Sequence, residues 1–344
     1  MKVKKSKLSH FIRKTSMIMI GVLICYVGLA FLLVYFSAEN EFIFSPSEKV
    51  TRELPTNGKK INEKFANEYV MHLPVTKGNI LFSRFIKNDS ENIIVYLHGI
   101  AATSETLQKS ARLLSKATGA SIVTPDLLGH GLSQGRPFDL DYIGQYEDDL
   151  AKIMSMLKEK FPSKNIYIAG HSMGGGIAMR YALKENQISP AGYILLAPNM
   201  GEGPTERKSE INELDDAARS LVVFDIKRFI GLIMFNTIGS HGFDHNVVLT
   251  FNFTNPPMNY SYRSIMSAQP IRPNTADKAL QAIQQPLLVI VGVNDEVFNA
   301  SNYPKLVGEN SRGQTFLIPG VDHNGVYDSP QTIEIIRAWM EVNG

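Results

Sequence analysis

Glycines flank a serine two residues to either side in Gly170-His171-Ser172-Met173-Gly174, which follows an apolar run and precedes a helical pattern. Serine is a weak nucleophile until a base takes its proton, and G-x-S-x-G on a strand–turn–helix is one way of presenting it. The glycines permit a sharp turn and close backbone approach. The turn lifts Ser172 above the sheet at a helix N-terminus, where negative charge is favoured. The expected chain order is serine, acid, histidine. Of the eight histidines, His241, His245 and His323 follow Ser172. His323, in Pro319-Gly320-Val321-Asp322-His323-Asn324-Gly325 after the last strand, is the candidate base. Asp295, after the strand 287–292, is the candidate acid that holds the imidazole tautomer. Glu296 is expected to point elsewhere, and Asp322 lies too close in sequence to orient His323.

Acyl transfer also needs donors for the developing oxyanion. The backbone N–H of Met173 is one candidate. The N–H of Ile100, in Leu97-His98-Gly99-Ile100-Ala101 after the strand 92–97, is the other. His98, and His130 in the Gly-rich loop Asp126 to Ser133, read as structural. His241 and His245, spaced i, i+4 around Asp244, read as part of a loop rather than a metal site. No metal or organic cofactor is expected. The single cysteine, Cys25, excludes an intrachain disulfide and a Cys-rich zinc site.

These residues need a scaffold. Strand patterns fall at 68–74, 79–86, 92–97, 120–124, 165–169, 191–197, 287–292 and 315–319, several as near-continuous apolar runs. Helical patterns alternate with them at about 103–117, 141–160, 173–185, 275–284 and 330–342. Such alternation predicts an α/β fold with a mostly parallel central sheet flanked by helices. Residues 201–275 interrupt it, with an apolar stretch at 221–238, and predict a lid insertion. Phe229 and Phe235 are the candidate residues for an acyl pocket, with Lys227 and Arg228 at its wet edge.

Charge divides the chain. Residues 1–14 carry six basic residues and no acidic ones, which leaves 29 basic and 33 acidic side chains beyond them. That balance argues against nucleic acid as a partner. Residues 17–36 are uncharged and long enough, at about 1.5 Å per residue, to cross a hydrocarbon core of about 30 Å. The basic tip, 1–16, predicts a cytoplasmic N-terminus and an extracytoplasmic catalytic body. A polar connector is expected at 39–67 and the catalytic domain at 68–344. A cleaved signal peptide is the competing reading. Gly28-Leu29-Ala30 has the form of a cleavage site, but cutting there leaves an exposed apolar segment, and at Ala38 the bulky Phe36 intervenes.

The chain resembles the α/β-hydrolase superfamily. Within it, residues 68–343 are most similar to the monoacylglycerol lipase and lysophospholipase group, whose domain is shared with serine aminopeptidases. The resemblance rests on His98-Gly99, the Asp126 to Ser133 loop, GHSMG around Ser172, GVNDEV around Asp295 and GVDHN around His323. Phe42-Ile43-Phe44-Ser45-Pro46 after the anchor is similar to a second, membrane-anchored branch, in which an Asp-Gly turn is common where this chain has Thr76-Lys77-Gly78. A serine at the elbow argues against dehalogenase and epoxide hydrolase chemistry. The leading expectation is a serine ester hydrolase acting on monoacylglycerols or lysophospholipids. Short-chain esters are an alternative. A peptidase or amidase is another, for which Glu202, Glu206, Glu210, Glu213, Asp215 and Asp216 are available. A non-catalytic role is disfavoured because all three triad positions are filled. The oligomeric state stays open.

Overall fold

The computed structural model describes residues 2–37, 53–61, 66–201, 221–271 and 275–343. Most of the expected connector, the Phe42 to Pro46 segment and the six acidic residues of the insertion lie outside the described residues. Helix α1 (Lys2–Tyr35) opens the chain. It is followed by β1 (Glu68–Pro74), β2 (Ile80–Ile86), β3 (Asn92–Leu97), α2 (Gln108–Thr118), β4 (Ser121–Pro125), α3 (Gln145–Lys160), β5 (Asn165–His171), α4 (Met173–Ala182) and β6 (Gly192–Leu196). The insertion supplies β7 (Val222–Phe224), α5 (Ile226–Thr237), β8 (Val247–Phe251), β9 (Met258–Ser261) and α6 (Tyr262–Ser267). The chain then runs through α7 (Ala276–Ala282), β10 (Leu287–Gly292), α8 (Tyr303–Asn310), β11 (Gln314–Ile318) and α9 (Pro330–Asn343). Two compact units result. One is Ser47–Leu214 with Arg263–Gly344; the other is Met1–Pro46 with Asp215–Tyr262.

The larger unit is built on an eight-stranded sheet in the order β1-β2-β4-β3-β5-β6-β10-β11. From β4 to β11 every pairing is parallel, and β1 and β2 add an antiparallel edge. β6 and β10 are buried along their whole length, as their apolar sequences require when both faces are covered. Helix α2 starts at Gln108 rather than near 103, because the preceding residues form turns, one tied down by the Ser104 N–H on the Asp126 carboxylate. Helix α8 was not foreseen. It is eight residues long and buries only Tyr303 and Val307, too few to register as a period.

In the smaller unit, β7, β8 and β9 form an antiparallel sheet. Asp225 caps α5 by accepting the Arg228 N–H at 2.9 Å. Residues Arg13–Tyr35 of α1 make a 23-residue apolar helix, long enough to cross a membrane. Its last turns pack on α5: Ala30 and Val34 are fully buried, and a Cβ on Gly231 would stand 2.8 Å from the Ala30 carbonyl.

Candidate active site

Ser172 occupies the single residue between β5 and α4, with φ +50° and ψ −114°. A side-chain-bearing residue in such a conformation costs on the order of 1–3 kcal/mol and persists only where its surroundings enforce it. Here the Ser172 N–H donates to the Leu196 carbonyl on β6. Its own carbonyl accepts from the Asn199 and Gly176 N–H groups. A Cβ on Gly174 would lie 2.4 Å from the Leu97 carbonyl oxygen, and one on Gly170 would lie 2.4 Å from the Gly174 carbonyl. The turn therefore closes only with glycine at both places.

Asp295 and His323, the candidate acid and base, leave the sheet from adjacent strands, β10 and β11. β10 ends at Gly292, and the turn after it brings in Asp295, which is fully buried. One carboxylate oxygen accepts the Val297 and Phe298 N–H groups at 2.8 and 2.7 Å. The other accepts the Nδ1–H of His323 at 2.8 Å. Burial works to raise the Asp295 carboxyl. The His323 ring and the two amides more than offset it, and the group titrates below its ordinary range. Because Nδ1 carries the proton, the other ring nitrogen, Nε2, is the basic one.

His323 is also held through its backbone. Its N–H donates to Glu296 Oε2 at 3.0 Å, and its carbonyl accepts from His171 Nε2 at 2.9 Å. Burial, reinforced by the neighbouring His323, lowers the His171 pKa to about 3, so this imidazole is neutral. The rings of His171 and Phe298 lie 4.9 and 5.1 Å from that of His323.

The loop after β3 passes close to the serine. A Cβ on Gly99 would stand 3.0 Å from His171 Nδ1 and 3.3 Å from Ser172 Cβ, so the main chain leading into Ile100 abuts the elbow. His98 accepts the Leu127 N–H on Nε2 at 3.0 Å and donates from Nδ1 to the Gly99 carbonyl at 2.7 Å. Asp126 accepts the Ser104 and Leu132 N–H groups at 2.7 Å each, which ties the loops after β3 and β4 together.

A family model described as serine aminopeptidase, S33, matches residues 88–226. A monoglyceride lipase homolog of monkeypox virus is 23% identical over 235 residues, covering 67% of this chain and 81% of that protein. Est1E from Butyrivibrio proteoclasticus, solved with ferulic acid bound, superposes with a TM-score of 0.56 at 19% identity, over 79% of this chain and 98% of that one. A membrane phospholipase A structure described as a bacterial virulence factor gives 0.55 at 17% identity, over 97% and 98%. The chain has the α/β-hydrolase fold. This hydrolase is of the serine-dependent esterase and lipase type.

Of the residues singled out in the sequence of the hydrolase, Asp295 and His323 meet directly, and Ser172 sits at the expected elbow. His130 donates from Nδ1 to the Leu128 carbonyl at 3.1 Å within its own loop, a structural position. His241 pairs with Asp244 at 3.0 Å, and among the described residues no group of three metal-ligating side chains forms. In the smaller unit, Phe235 is buried against Phe243 and Phe229 is half-buried between Phe224 and Tyr262. Arg228 corrects its sequence reading. It is not at a wet edge but 2% exposed, because its guanidinium reaches backbone carbonyls of α1 and β8. Two contributors were missed. Glu296 was expected to point away but holds the His323 backbone, and His171, the x of G-x-S-x-G, carries no spacing signal.

Proposed function

We propose that this hydrolase is a membrane-tethered serine esterase acting on lipid-type acyl esters such as monoacylglycerols or lysophospholipids. The observation that carries the catalytic part is the Asp295–His323 hydrogen bond, with its proton on Nδ1, in the same unit as a serine held at positive φ. Ser172 Oγ attacks the ester carbonyl while His323 Nε2 takes its proton. Asp295 keeps the ring in its tautomer and stabilises the imidazolium. The N–H groups of Ile100 and Met173 receive the oxyanion. His323 then protonates the departing alcohol, and the acyl-serine ester remains. Water, deprotonated by the same nitrogen, attacks this ester and releases the fatty acid. No residue in this sequence of steps calls for a metal.

The substrate class is supported by the relatives' descriptions as monoglyceride lipase and membrane phospholipase, and by the apolar character of the insertion, with Phe229 and Phe235 as its acyl-binding aromatics. Anchoring by α1, with the basic tip cytoplasmic and the hydrolase outside, is supported by length and charge asymmetry. Peptidase or amidase action is the second reading, favoured by the aminopeptidase description of the matching family model. A panel of p-nitrophenyl esters from acetate to palmitate, run beside aminoacyl amides, separates the two. Each buried methylene should add up to about 0.8 kcal/mol to the selectivity until the pocket is full. A profile that falls from acetate upward removes the lipid reading, and faster turnover of amides than esters reverses the order of the two. Protease added to sealed spheroplasts should digest the hydrolase body; protection until lysis overturns the orientation.

A further inference from the structure

The loop that carries His323 continues through a short 3₁₀ turn (Gly325–Tyr327) into α9. It is held at the base itself by the His171 and Glu296 side chains, and it is held again at Tyr327. There the Ser110 hydroxyl of α2 donates to the Tyr327 carbonyl. Ser110 is fully buried, and its one proton is committed to that bond, because a carbonyl only accepts. The Tyr96 hydroxyl of β3, 3.3 Å away, therefore donates to Ser110 Oγ. Tyr96 is fully buried as well. An ion pair between Lys109 and Asp328 ties the same segments at 2.6 Å, but Lys109 is 73% exposed, and a pair so open to water adds little. The shielded hydroxyls are the firmer hold.

The Tyr327 side chain closes a circuit back to the base. Its ring meets that of His171 edge-on, with centroids 5.0 Å apart and an angle of 76°. His171 in turn donates from Nε2 to the His323 carbonyl at 2.9 Å. Tyr327 is thus pinned to α2 by its main chain and braces, with its ring, the imidazole that holds His323. The two strands in the circuit both lead to the candidate site. β3, with Tyr96, runs into the loop that bears Ile100, and β5, with His171, runs into Ser172. Removing the Ser110 hydroxyl would leave the Tyr327 carbonyl unmatched and the buried Tyr96 hydroxyl unpaired. Unpaired buried groups are costly enough to make the turn shift. A shift of about 1 Å at a reacting group can cost about a hundredfold in rate.

We propose that Ser110 is a positioning residue for His323. Its hydroxyl fixes the 325–327 turn, and through Tyr327 and His171 it keeps the imidazole on Asp295. This rests on the reading of Ser172, Asp295 and His323 as the catalytic residues.

The test uses the full-length chain in detergent, with p-nitrophenyl butyrate as substrate. Ser110→Ala removes the hydroxyl, and Ser110→Cys keeps the volume but offers a much weaker donor. Leu114→Ala opens a cavity on the same buried face of α2 without touching the circuit. The Nδ1–H of His323 is followed as a low-field proton resonance in enzyme carrying ¹⁵N-labelled histidine, assigned by its loss in His323→Ala. Ser110→Ala should lower kcat by about 10- to 100-fold, keep KM within about twofold, and broaden the Nδ1–H signal through exchange with water. Ser110→Cys should fall between it and the wild type. Leu114→Ala should lower Tm at least as far, yet keep kcat within about twofold and the signal sharp. Wild-type kcat and an unchanged signal in Ser110→Ala overturn the proposal, and so do equal losses of both in Leu114→Ala. If Ser110→Ala does not fold, Ser110→Cys decides on the same two readouts. Wild-type turnover in His323→Ala sinks the catalytic reading and the proposal with it. An inactive His323→Ala beside an unaffected Ser110→Ala removes the proposal alone.

Discussion

In the hydrolase body, two backbone amides hold Asp295, and the main chain of His323 is pinned by the Glu296 and His171 side chains. In the unit built from α1 and the insertion, one arginine and one aspartate join two segments about 190 residues apart, with isoleucines exposed around them. The first arrangement has few degrees of freedom: each strand end can present its residue in one way. The second depends on side chains and apolar packing, which tolerate change and respond to surroundings. Placement of Asp295 thus rests on neighbouring backbone amides, whereas the joint between α1 and α5 rests on side chains.

The contrast is tested most severely at the serine. Ser172→Ala should lower kcat by about 10⁵- to 10⁶-fold for every ester, and Asp295→Asn by about 10⁴-fold through the wrong imidazole tautomer. Both should leave Tm unchanged within a few degrees, and a fluorophosphonate probe should label the wild type but not Ser172→Ala. Gly174→Ala should act on folding instead. Its Cβ meets the Leu97 main chain, which cannot retreat, so soluble yield and Tm should fall with a loss of about 3 kcal/mol or more. A well-folded, active Gly174→Ala enzyme would contradict the rigid account of the elbow.

Changes in the smaller unit should be selective rather than general. Phe229→Ala should reduce kcat/KM for palmitate esters by about 10- to 100-fold, a few kcal/mol of lost apolar contact, and leave acetate esters within about twofold. Equal losses on both would mean that the insertion serves only stability. Glu296→Gln keeps an acceptor for the His323 N–H but removes its charge. A loss of about tenfold or less in kcat, with KM and long-chain preference unchanged, marks a positioning residue.

The smallest effect concerns pH. His171 is held neutral in the folded hydrolase with its pKa down at about 3, so between 6.5 and 3 the unfolded chain binds more protons. Its contribution is complete above pH 6.5 and is lost as pH falls toward 3. By pH 5 the loss should be about 1–2 kcal/mol, seen as a drop of several degrees in Tm. The depressed Asp295 carboxyl acts in the same direction below about pH 4. His171→Gln should flatten the Tm profile between pH 7 and 5; an unchanged slope removes His171 as its source.

The two units differed equally in how far they could be read from residues alone. Parallel strands buried on both faces announce themselves as apolar runs, and the elbow glycines are demanded by local geometry. Ser172, Asp295 and the mostly parallel character of the sheet around them were therefore accessible. Arg228 was not. A charged residue in an apolar stretch reads as solvent-facing unless its carbonyl partners are known, and one of these, on Val34, lies 194 residues away. Glu296 was missed for a related reason: what it bonds is a backbone N–H, which has no signature in sequence. The small sheet β7–β8–β9 went unseen because its strands are three to five residues long.

The sheet order also sets a schedule. Ser172 follows β5, whereas its proposed acid and base, Asp295 and His323, arrive only after β10 and β11 have paired beside β6. Synthesis proceeds from the N-terminus at about 5–20 residues per second, and these long-range pairings form last. The apolar helix leaves the ribosome before the hydrolase body, and the proposed nucleophile is made while its proposed base does not yet exist. A chain still being translated is thus inert toward the esters around it, and hydrolytic power switches on only when the final strands close the sheet.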